Sequence, residues 1–432
     1  MVAAGIVARS DYRDTVWSSV PLDRSTQVNT RCCIAGGGPA GMTLGYLLAR
    51  AGVDVVVLEK HKDFLRDFRG DTVHPSTLEV MHELGLLEDF LKLPHQEAPR
   101  LGGQIGDEFV MLVDFSHLPT KCKFIALVPQ WDFLDFLAER GKRYPTFKLR
   151  MEAEVIDLLK EEGQVVGVKV KTPDGLLEVR ADLTVGADGR SSILRKQAEL
   201  KVNEFGAPMD VLWFRLSRRP DDGEQTLGRI VKGKMMVTLN RGDYWQCAYL
   251  IRKGDYERIK ERRLDAFRKD ILSVAPFMRD RVDELKDWEP IKLLTVKVDR
   301  LQKWYRPGLL IIGDAAHAMS PIGGVGINLA IQDAVAAANI LAERLSRQTV
   351  SLADLQRVQL RREFPTRLTQ RMQIIVQNRL VDRILGSDEQ IPLPWPMKLI
   401  QRWPLLRRIP ARVIGIGFRA EHVRIGELRG TQ

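Results

Sequence analysis

Apolar runs of strand length alternate with helix-like segments at two places in the chain. Near the N-terminus the run Cys32–Ala35 precedes a helical pattern over residues 42–51, and the apolar run Val53–Leu58 follows. Farther along, the run Gly308–Ile312 leads through a loop into an alanine-rich helical pattern over residues 328–345. Buried strands that alternate with helices are typical of a parallel sheet with helices on its faces. Each of the two parts therefore has the pattern of a strand–helix unit of an α/β fold.

The middle of the chain follows a shorter period. Residues 152–171 have the pattern of two strands around a turn at residues 161–164. From Asp210 to Ile251 apolar and polar positions alternate, and many of the apolar ones are aromatic residues or methionines. Alternation with a period of two is typical of antiparallel strands with one buried face. An antiparallel sheet is therefore expected between the two α/β parts.

A glycine-rich turn lies between the first predicted strand and its helix. Its glycines, Gly36, Gly38 and Gly41, have the spacing GxGxxG, and Glu59 ends the next strand about 20 residues on. Such glycines permit a tight turn, close approach of a pyrophosphate and close packing of helix on strand, while the acid accepts hydrogen bonds from a ribose. The combination of strand, turn, helix, second strand and acid predicts a dinucleotide site.

Residues 313–328 form a second candidate cofactor turn. Asp314 follows a predicted strand, and Pro321 and three glycines precede the N-terminus of a helix near Asn328. The acid can bond a polyol hydroxyl, and the glycines let backbone N–H groups approach a flat, anionic cofactor. Taken alone, the same residues also fit a strand–loop–helix turn whose glycines serve only backbone geometry.

The composition is that of a soluble globular enzyme. A chain of 432 residues can form two or three domains with ample core. Its four cysteines have neither metal nor disulfide spacing, so no metal site is expected and a reducing cytoplasm fits best. No apolar run reaches about 18 residues. Residues 1–29 lack the apolar centre of a signal peptide and are expected to form a loose extension.

Positive charge is concentrated in the C-terminal tail. Residues 351–432 contain 15 Arg or Lys against 7 Asp or Glu, which gives +8 of the chain's net +10. A long helix with several arginines is predicted first, and an amphipathic stretch follows over residues 397–418. A solvated helix face that packs on the body is the favoured interpretation. Steering of anionic NADPH and a basic helix on a membrane surface stay open. Nucleic acid is not expected as a partner, because no known binding module is present.

A third predicted strand that is followed by an acid and a glycine lies in the sequence between the GxGxxG turn and the turn at residues 313–328. The sequence from Asp188 to Arg195 has the form DGxxSxxR. With the GxGxxG turn before it and Gly313-Asp314 after it, the chain resembles the class A flavin-dependent aromatic hydroxylases, the para-hydroxybenzoate hydroxylase-like monooxygenases. The resemblance covers residues 30–345 and does not extend to the tail.

The resemblance implies a set of FAD-binding residues. They are Gly36, Gly38, Pro39, Ala40, Gly41, Glu59, Arg69, Gln130, Asp188, Gly189, Gly313, Asp314, Pro321, Gly324, Gly326, Ile327 and Asn328. In this family the residues from Gly38 to Gly41 hold pyrophosphate, Glu59 the ribose, and Asp314 a ribityl hydroxyl. Asp188 supports both FAD and NAD(P)H, although a purely structural role in orienting Arg195 or a loop is the alternative.

The resemblance also implies a reaction. The flavin ring should lie over the loop from Pro321 to Asn328, with the N–H groups of Ile327 and Asn328 at its N1–C2=O edge. NAD(P)H reduces the flavin, and a C4a-hydroperoxyflavin formed with O2 hydroxylates an aromatic or polyketide-like small molecule. Pro321 is expected to line the hydroperoxide site. His317 is either a catalytic base or, as favoured, a packed histidine.

Three points stay open. A flavin-dependent reductase or dehydrogenase of the same fold and a non-catalytic flavin-binding pathway protein are the alternative functions, while a halogenase is disfavoured because its WxWxIP segment is absent. The choice between NADPH and NADH is not decided by the sequence. The oligomeric state is open as well.

The expected fold class is mixed α/β and α+β. A Rossmann-like FAD-binding domain is expected to be discontinuous, with an inserted antiparallel-sheet substrate domain and a helical C-terminal region. The expected boundaries are 30–200 and 290–350 for the FAD domain, with 95–130 partly on the substrate side, 201–289 for the substrate domain, and 351–432 for the basic helical region.

Overall fold

The computed structural model describes residues 26–65, 72–223, 227–387, 389 and 392–427. Residues 1–25 and Arg69, which carried sequence-based predictions, lie outside the described residues. The strands are β1 (Thr26–Ala35), β2 (Val55–Leu58), β3 (Thr72–Val73), β4 (Gln96–Ala98), β5 (Arg100–Ile105), β6 (Glu108–Asp114), β7 (Ile125–Leu127), β8 (Phe147–Arg150), β9 (Glu154–Glu161), β10 (Gln164–Thr172), β11 (Gly175–Gly186), β12 (Val202–Glu204), β13 (Met209–Ser217), β14 (Leu227–Val231), β15 (Lys234–Asn240), β16 (Tyr244–Arg252), β17 (Lys292–Leu294), β18 (Asp299–Leu301), β19 (Tyr305–Arg306) and β20 (Leu309–Ile311). The helices are α1 (Pro39–Arg50), α2 (Pro75–Glu83), α3 (Leu87–Phe90), α4 (Gln130–Gly141), α5 (Ile193–Gln197), α6 (Tyr256–Glu261), α7 (Leu264–Val274), α8 (Gly326–Ser346), α9 (Leu352–Val376), α10 (Asp382–Leu385), α11 (Trp395–Arg402) and α12 (Arg408–Gly415).

Five parallel strands form the centre of the larger sheet, in the order β8–β2–β1–β11–β20. Strand β19 pairs antiparallel with β20 at one edge, and the hairpin β9–β10 extends the first half of β11. From β1 the chain runs outward to β2 and β8 on one side, whereas β11 and β20 lie on the other. The carboxyl ends of β1 and β11 therefore flank a topological switch point, where open α/β sheets bind their ligands.

Strand β1 shows why this sequence forms a central strand. Cys32 and Ile34 belong to an apolar cluster with helices α1, α4 and α8, while Cys33 and Ala35 belong to a cluster on the other face. All four residues are fully buried, since successive side chains of a strand covered on both sides alternate between two cores. Burial raises the pKa of Cys33 to about 12, so that thiol stays protonated and unreactive.

The second sheet has the strand order β17–β13–β16–β15–β14–β5–β6 and is antiparallel except for the pair β14–β5. Helix α7 covers one of its faces through Phe267 and Ile271. On the other face Val211 and Leu250 share a cluster with Ile322, which lies in the loop before α8. The expected fold class is confirmed, and the second sheet faces the loop on which the sequence placed the flavin ring.

Helix α8 is a core helix. By length and composition alone, the segment Ile322–Ser346 could cross a membrane, and it is the one such segment among the described residues. In the fold, 78% of its most apolar window is buried. Its buried side chains, Ala334 and Leu341 among them, pack in the same cluster as those of α1.

Helix α9 buries several polar side chains beside the apolar Leu355 and Val358, and it exposes several large apolar ones, so it lacks the apolar inward face of an ordinary surface helix. Arg362, one of the arginines of the predicted long helix, is only 1% exposed. The other buried polar residues of α9 are Asp354, Gln359, Thr366, Thr369, Gln370 and Gln373, and the exposed apolar ones are Leu352, Leu360, Phe364 and Ile375. The predicted long helix is present, and its buried face carries polar side chains that a hydrophobic pattern does not identify.

Candidate active site

All four predicted cofactor segments lie at the carboxyl ends of adjacent parallel strands. Gly36–Gly41 follow β1, Glu59 follows β2, Asp188-Gly189 follow β11, and Gly313-Asp314 follow β20. Backbone hydrogen bonds of 2.8–2.9 Å join each strand end to its neighbour, from Gly36 N to Leu58 O, Ala187 N to Ala35 O and Ile312 N to Gly186 O. Motifs that are far apart in the sequence therefore meet at one edge of the sheet.

The turn after β1 has no room for side chains at two of its three motif glycines. Gly36 has a φ of +108°, and a Cβ there would overlap the carbonyl of Ala187. A Cβ on Gly41 would overlap the carbonyl of Gly36. At Gly38, in contrast, φ is −75° and a Cβ would meet no protein atom within 4 Å. The protein itself does not need glycine at position 38, whereas a closely approaching ligand does.

The N-terminus of α1 and the carboxylate of Glu59 lie on either side of this turn. Pro39 begins the helix, and the N–H groups of Ala40 and Gly41 lie in its first turn, where backbone donors have no partner within the helix. Glu59 is buried, and its Oε2 accepts a hydrogen bond of 3.0 Å from Gly37 N. The turn thus presents N–H donors suited to phosphate, with an acid held beside them.

Asp188 lies in the loop before α5 and holds the first turn of that helix, whose N-cap residue is Ser192. Asp188 Oδ2 accepts hydrogen bonds from the N–H groups of Ile193 (2.8 Å) and Leu194 (3.3 Å), which is a helix-capping role. Arg195 does not pair with Asp188 but with Asp299, at 3.3 Å. Among the described residues, the buried Oδ1 of Asp188 has no hydrogen-bond partner. Burial raises the pKa of this carboxyl group, although the hydrogen bonds that it accepts act in the opposite direction.

Gly313 and Asp314 join the third motif to the other two. Gly313 has a φ of +62°, and a Cβ there would lie 3.1 Å from Ala40 and 3.3 Å from Ala330, so α1 and α8 both pack closely on it. Asp314 Oδ2 lies 3.3 Å from Arg190 Nη2, in the loop after β11. The sequence had not singled out Arg190, a guanidinium placed between the second and third motifs.

Helix α9 fixes the loop that precedes α8. Gln373 Nε2 donates to the carbonyls of Ser320 (2.9 Å) and Ile322 (2.8 Å), and Gln370 donates to the carbonyl of the preceding turn. Buried loop carbonyls have no partners in regular secondary structure, so they require such donors. Pro321, between the two bonded carbonyls, is thereby held in a defined position.

The second half of this loop is held by strand β3. Gly324 has a φ of +64°, and its carbonyl accepts a hydrogen bond of 3.0 Å from Thr72 Oγ1. Gly326 begins α8, and a Cβ there would lie 4.0 Å from Asp314 Oδ1. The loop glycines therefore bring the start of α8 close to the acid of the third motif.

The side chain of Asn328 forms hydrogen bonds within the protein. Its Oδ1 accepts hydrogen bonds from His74 N (3.0 Å) and Thr77 Oγ1 (2.7 Å), which ties α8 to the start of α2. The backbone N–H groups of Ile327 and Asn328 lie in the first turn of α8, where helical N–H groups have no partner within the helix. Those N–H groups, and not the amide side chain, are the donors that this helix end presents.

His317 is a packed histidine. Its Nε2 lies 2.5 Å from Asp333 Oδ2, and both side chains are buried. Asp333 also accepts hydrogen bonds from Arg362 Nε (2.9 Å) and Gly313 N (3.1 Å), and Arg362 in turn lies 3.4 Å from Glu421. Although burial alone would raise the pKa of Asp333, the charges and hydrogen bonds of His317 and Arg362 outweigh it and lower that pKa.

Sequence reasoning missed Asp333 and Arg362. The sequence did contain an indication of Asp333, because an acid inside the alanine-rich stretch of residues 329–342 is expected to be buried with a partner. Gln130, which the resemblance had selected, is the first residue of α4 and is half-buried directly after β7. The prediction for Arg69 falls outside the described residues.

The two faces of the second sheet divide its aromatic and methionine residues. Phe214 and Met236 pack under α7. Their chain neighbours Trp213 and Met235 point the other way, into the cluster that contains Ile322. The sequence pattern from Asp210 to Ile251 did not assign these residues to faces, whereas in the structure strand alternation leaves only the second pair on the face toward the Pro321 loop.

Stability should fall as the pH is lowered from 6.5 toward 4, because of His74. Its Nδ1 lies 2.7 Å from the carbonyl of Ile414, so Nδ1 carries the proton, and its buried Nε2 has no partner among the described residues. Burial lowers the pKa of His74 from 6.5 to about 4. The unfolded chain therefore binds a proton in this range that the folded chain does not, which costs about 3 kcal/mol across it.

Urea unfolding at several pH values checks this expectation. His74→Asn keeps a donor near the Nδ1 position but does not titrate, so its stability should depend less on pH between about 7 and about 5. Parallel curves for the two proteins would show that His74 does not carry the effect.

The fold and the site together define a dinucleotide-binding flavoenzyme whose second sheet faces the loop before α8. The residues present fit FAD, since Gly38 faces open space and helix N-termini offer N–H donors at both ends of the site. The chain matches the family model described as FAD binding domain over residues 29–372. It belongs to this family, that of the class A FAD-dependent aromatic hydroxylases, and it is an FAD-dependent monooxygenase.

The relatives extend the similarity over nearly the whole chain. The chain is 32% identical to 6-methylpretetramide 4-monooxygenase of Streptomyces rimosus over 395 residues, 91% of this chain and 94% of the relative. It is 28% identical to dialkyldecalin synthase of Streptomyces rugosporus over 321 residues, 70% of this chain but only 63% of that longer protein. The crystal structure of p-nitrophenol 4-monooxygenase PnpA of Pseudomonas putida has a TM-score of 0.71 at 19% identity and covers 91% of this chain, with all of its own chain matched.

Proposed function

We propose that this monooxygenase hydroxylates a fused-ring aromatic polyketide with NAD(P)H and O2 as co-substrates. The similarity to 6-methylpretetramide 4-monooxygenase over almost the full length of both proteins carries the proposal. A wall made of Trp213, Met235, Val237 and Ile322 supports it, because flat apolar and aromatic surfaces suit a planar polycyclic ring system.

The FAD-binding roles of individual residues belong to the same proposal. Gly38 and the first turn of α1 hold the pyrophosphate, and Glu59 holds the adenosine ribose. Asp314 and Gln130 bind the ribityl chain, with Arg190 available to balance negative charge near Asp314. These roles rest on the placement of the four strand ends around one switch point.

When bound, FAD supplies the redox and oxygen chemistry. The protein contributes position and charge: the N–H groups of Ile327 and Asn328 at the start of α8 would hold the flavin ring and would stabilise negative charge on it. Pro321 and Ile322, fixed by the glutamines of α9, lie between that helix end and the inner face of the second sheet. Their apolar side chains exclude water from the reacting atoms.

Replacing Trp213 with alanine should raise KM for a polycyclic substrate about tenfold, with little change in FAD content, because a large apolar contact is lost. Trp288→Ala is the matched control, since Trp288 packs on the opposite face of the sheet against Phe267. Substrate-stimulated NAD(P)H oxidation, with quantified hydroxylated product, measures both variants. The proposal fails if only single-ring phenols are hydroxylated, or if both variants behave alike.

A second candidate function, in addition to hydroxylation, is a non-redox conversion of substrate at the same flavin-binding site. The similarity to dialkyldecalin synthase favours it, because that relative is named as a synthase and not as a monooxygenase. The two functions differ in cofactor use. Substrate should stimulate NAD(P)H oxidation and O2 uptake in a monooxygenase, whereas a synthase would convert substrate without either. A flavin reductase would consume NAD(P)H anaerobically and form a reduced product.

We also propose a cytoplasmic location and leave the oligomeric state undecided. NAD(P)H is an intracellular co-substrate, and the four cysteines are all buried and unpaired with one another. The nucleotide preference is tested by comparing NADPH and NADH in the same assay.

A further inference from the structure

The segment 395–412 presents an apolar outer surface, called here the Trp–Arg surface. It comprises α11, a short 3₁₀ turn and the first part of α12. Its exposed large apolar side chains are Trp395, Leu399, Trp403, Leu405 and Ile409, each 43–75% exposed. Single exposed apolar residues are common, but five large ones within one segment are typical of an interaction surface.

The same surface is strongly basic. No acidic residue occurs from 390 to 420, while six Lys or Arg do. Lys398, Arg402, Arg408 and Arg412 are exposed, so cations and large apolar side chains share one surface. The sequence favoured a solvated helix face that packs on the body and left electrostatic steering and contact with a membrane as alternatives.

The inner side of the segment is already packed. Ala411 is buried, and Ile414 and Ile416 contact a cluster that contains Phe115 and Leu118. Helices α11 and α12 both rest on strand β6, at the edge of the second sheet. The outer apolar residues are therefore additional to those that attach the segment to the body.

We propose that the Trp–Arg surface docks on an anionic lipid bilayer. Tryptophan and leucine side chains enter the boundary between headgroups and acyl chains, while Lys and Arg remain at the level of the anionic headgroups. An acidic protein would complement the charge but does not require several exposed tryptophan and leucine side chains. Exposed Phe109 of β6 adjoins the surface, where Gln401 Nε2 lies 3.5 Å from its carbonyl, so a bilayer would lie beside the substrate-facing sheet.

Vesicle flotation of the FAD-loaded, full-length protein tests the proposal. The protein should float with vesicles of phosphatidylcholine and phosphatidylglycerol, and much less with phosphatidylcholine alone. Each Lys or Arg near an anionic surface contributes about fivefold, so Lys398→Ala/Arg402→Ala/Arg412→Ala should weaken partitioning about 100-fold. Trp395→Ser/Trp403→Ser should weaken binding to the same vesicles also at high salt, where the charge contribution is screened.

Leu176→Ser/Leu293→Ser is the matched control, because these exposed leucines lie outside the surface. It should float like the wild type, and all variants should keep their FAD and NAD(P)H oxidation in solution, which separates this test from the proposed function. Absence of flotation at low salt, or equal flotation of surface and control variants, overturns the proposal. Retention on poly-glutamate without vesicle binding, or self-association that the surface variants abolish, overturns it as well and assigns the surface to an acidic polypeptide or to a second copy.

Discussion

Gly38→Ala should yield a folded protein that binds FAD about 10- to 100-fold more weakly than the wild type. Gly38 has a φ of −75°, which alanine adopts readily, and a Cβ there would meet no protein atom within 4 Å. The added methyl group would instead enter the open space at the start of α1, where we propose that the pyrophosphate lies. The cost therefore falls on the cofactor and not on the fold.

Two other glycines, one inside the motif and one far from it, supply the controls. Gly41→Ala should impair the fold and FAD binding together, because its Cβ would overlap the carbonyl of Gly36. Gly85 has a positive φ of +70° far along the chain from the motif, so Gly85→Ala should cost some stability but leave the FAD affinity unchanged. The three variants thus separate strain in the backbone from contact with the ligand.

Two measurements are needed for each variant. Urea unfolding of the flavin-free protein gives the intrinsic stability, and flavin fluorescence titration gives the dissociation constant of FAD. If Gly38→Ala binds FAD as tightly as the wild type, the pyrophosphate does not lie against the first turn of α1. If it unfolds like Gly41→Ala, the turn itself requires glycine at position 38.

The cofactor turns were predictable because each is local. A strand, its glycine turn and the following helix lie within about 30 residues, and the roles of Gly36 and Gly41 follow from backbone contacts inside that unit. The burial of Cys32–Ala35 was also predictable, since successive side chains of a central strand face one of two apolar cores. The meeting of three motifs followed from a general rule for parallel sheets and not from any contact visible in the sequence.

The C-terminal region was not predictable in the same way. In α9 the apolar residues Leu360 and Phe364 are exposed, while Gln373 is buried because loop carbonyls before α8 need its amide as a donor. The loop that needs this donor lies about 50 residues earlier in the chain, so the hydrophobic pattern within α9 could not predict that Gln373 is buried. For the same reason the capping role of Asp188 and its missing contact with Arg195 emerged only from the fold.

Arg362→Met should destabilise the protein by about 3–5 kcal/mol, the largest loss expected from any single exchange in the tail. Arg362 bonds Asp333 at 2.9 Å inside the core and also contacts Glu421. Without the guanidinium, Asp333 would have only His317 to balance its charge, and Glu421 would lose one of its two arginine partners. Asp333 also accepts a hydrogen bond from Gly313 N in the third motif. Disturbing Asp333 should therefore displace that motif and lower the FAD content.

The adjacent Arg361 provides a matched control, because it contacts the same Glu421 at 2.7 Å but is partly exposed. Arg361→Met should cost less, about 1 kcal/mol, because the guanidinium of Arg361 reaches solvent and Glu421 keeps Arg362 as a partner. Urea unfolding of the FAD-loaded proteins compares them, and Arg362→Lys, which keeps the charge, gives a measurable intermediate if Arg362→Met does not fold. Asp333→Asn combined with Arg362→Met should recover part of the loss, since the buried acid is then neutral. Equal costs at positions 361 and 362 would mean that the buried network does not hold the tail to the flavin domain.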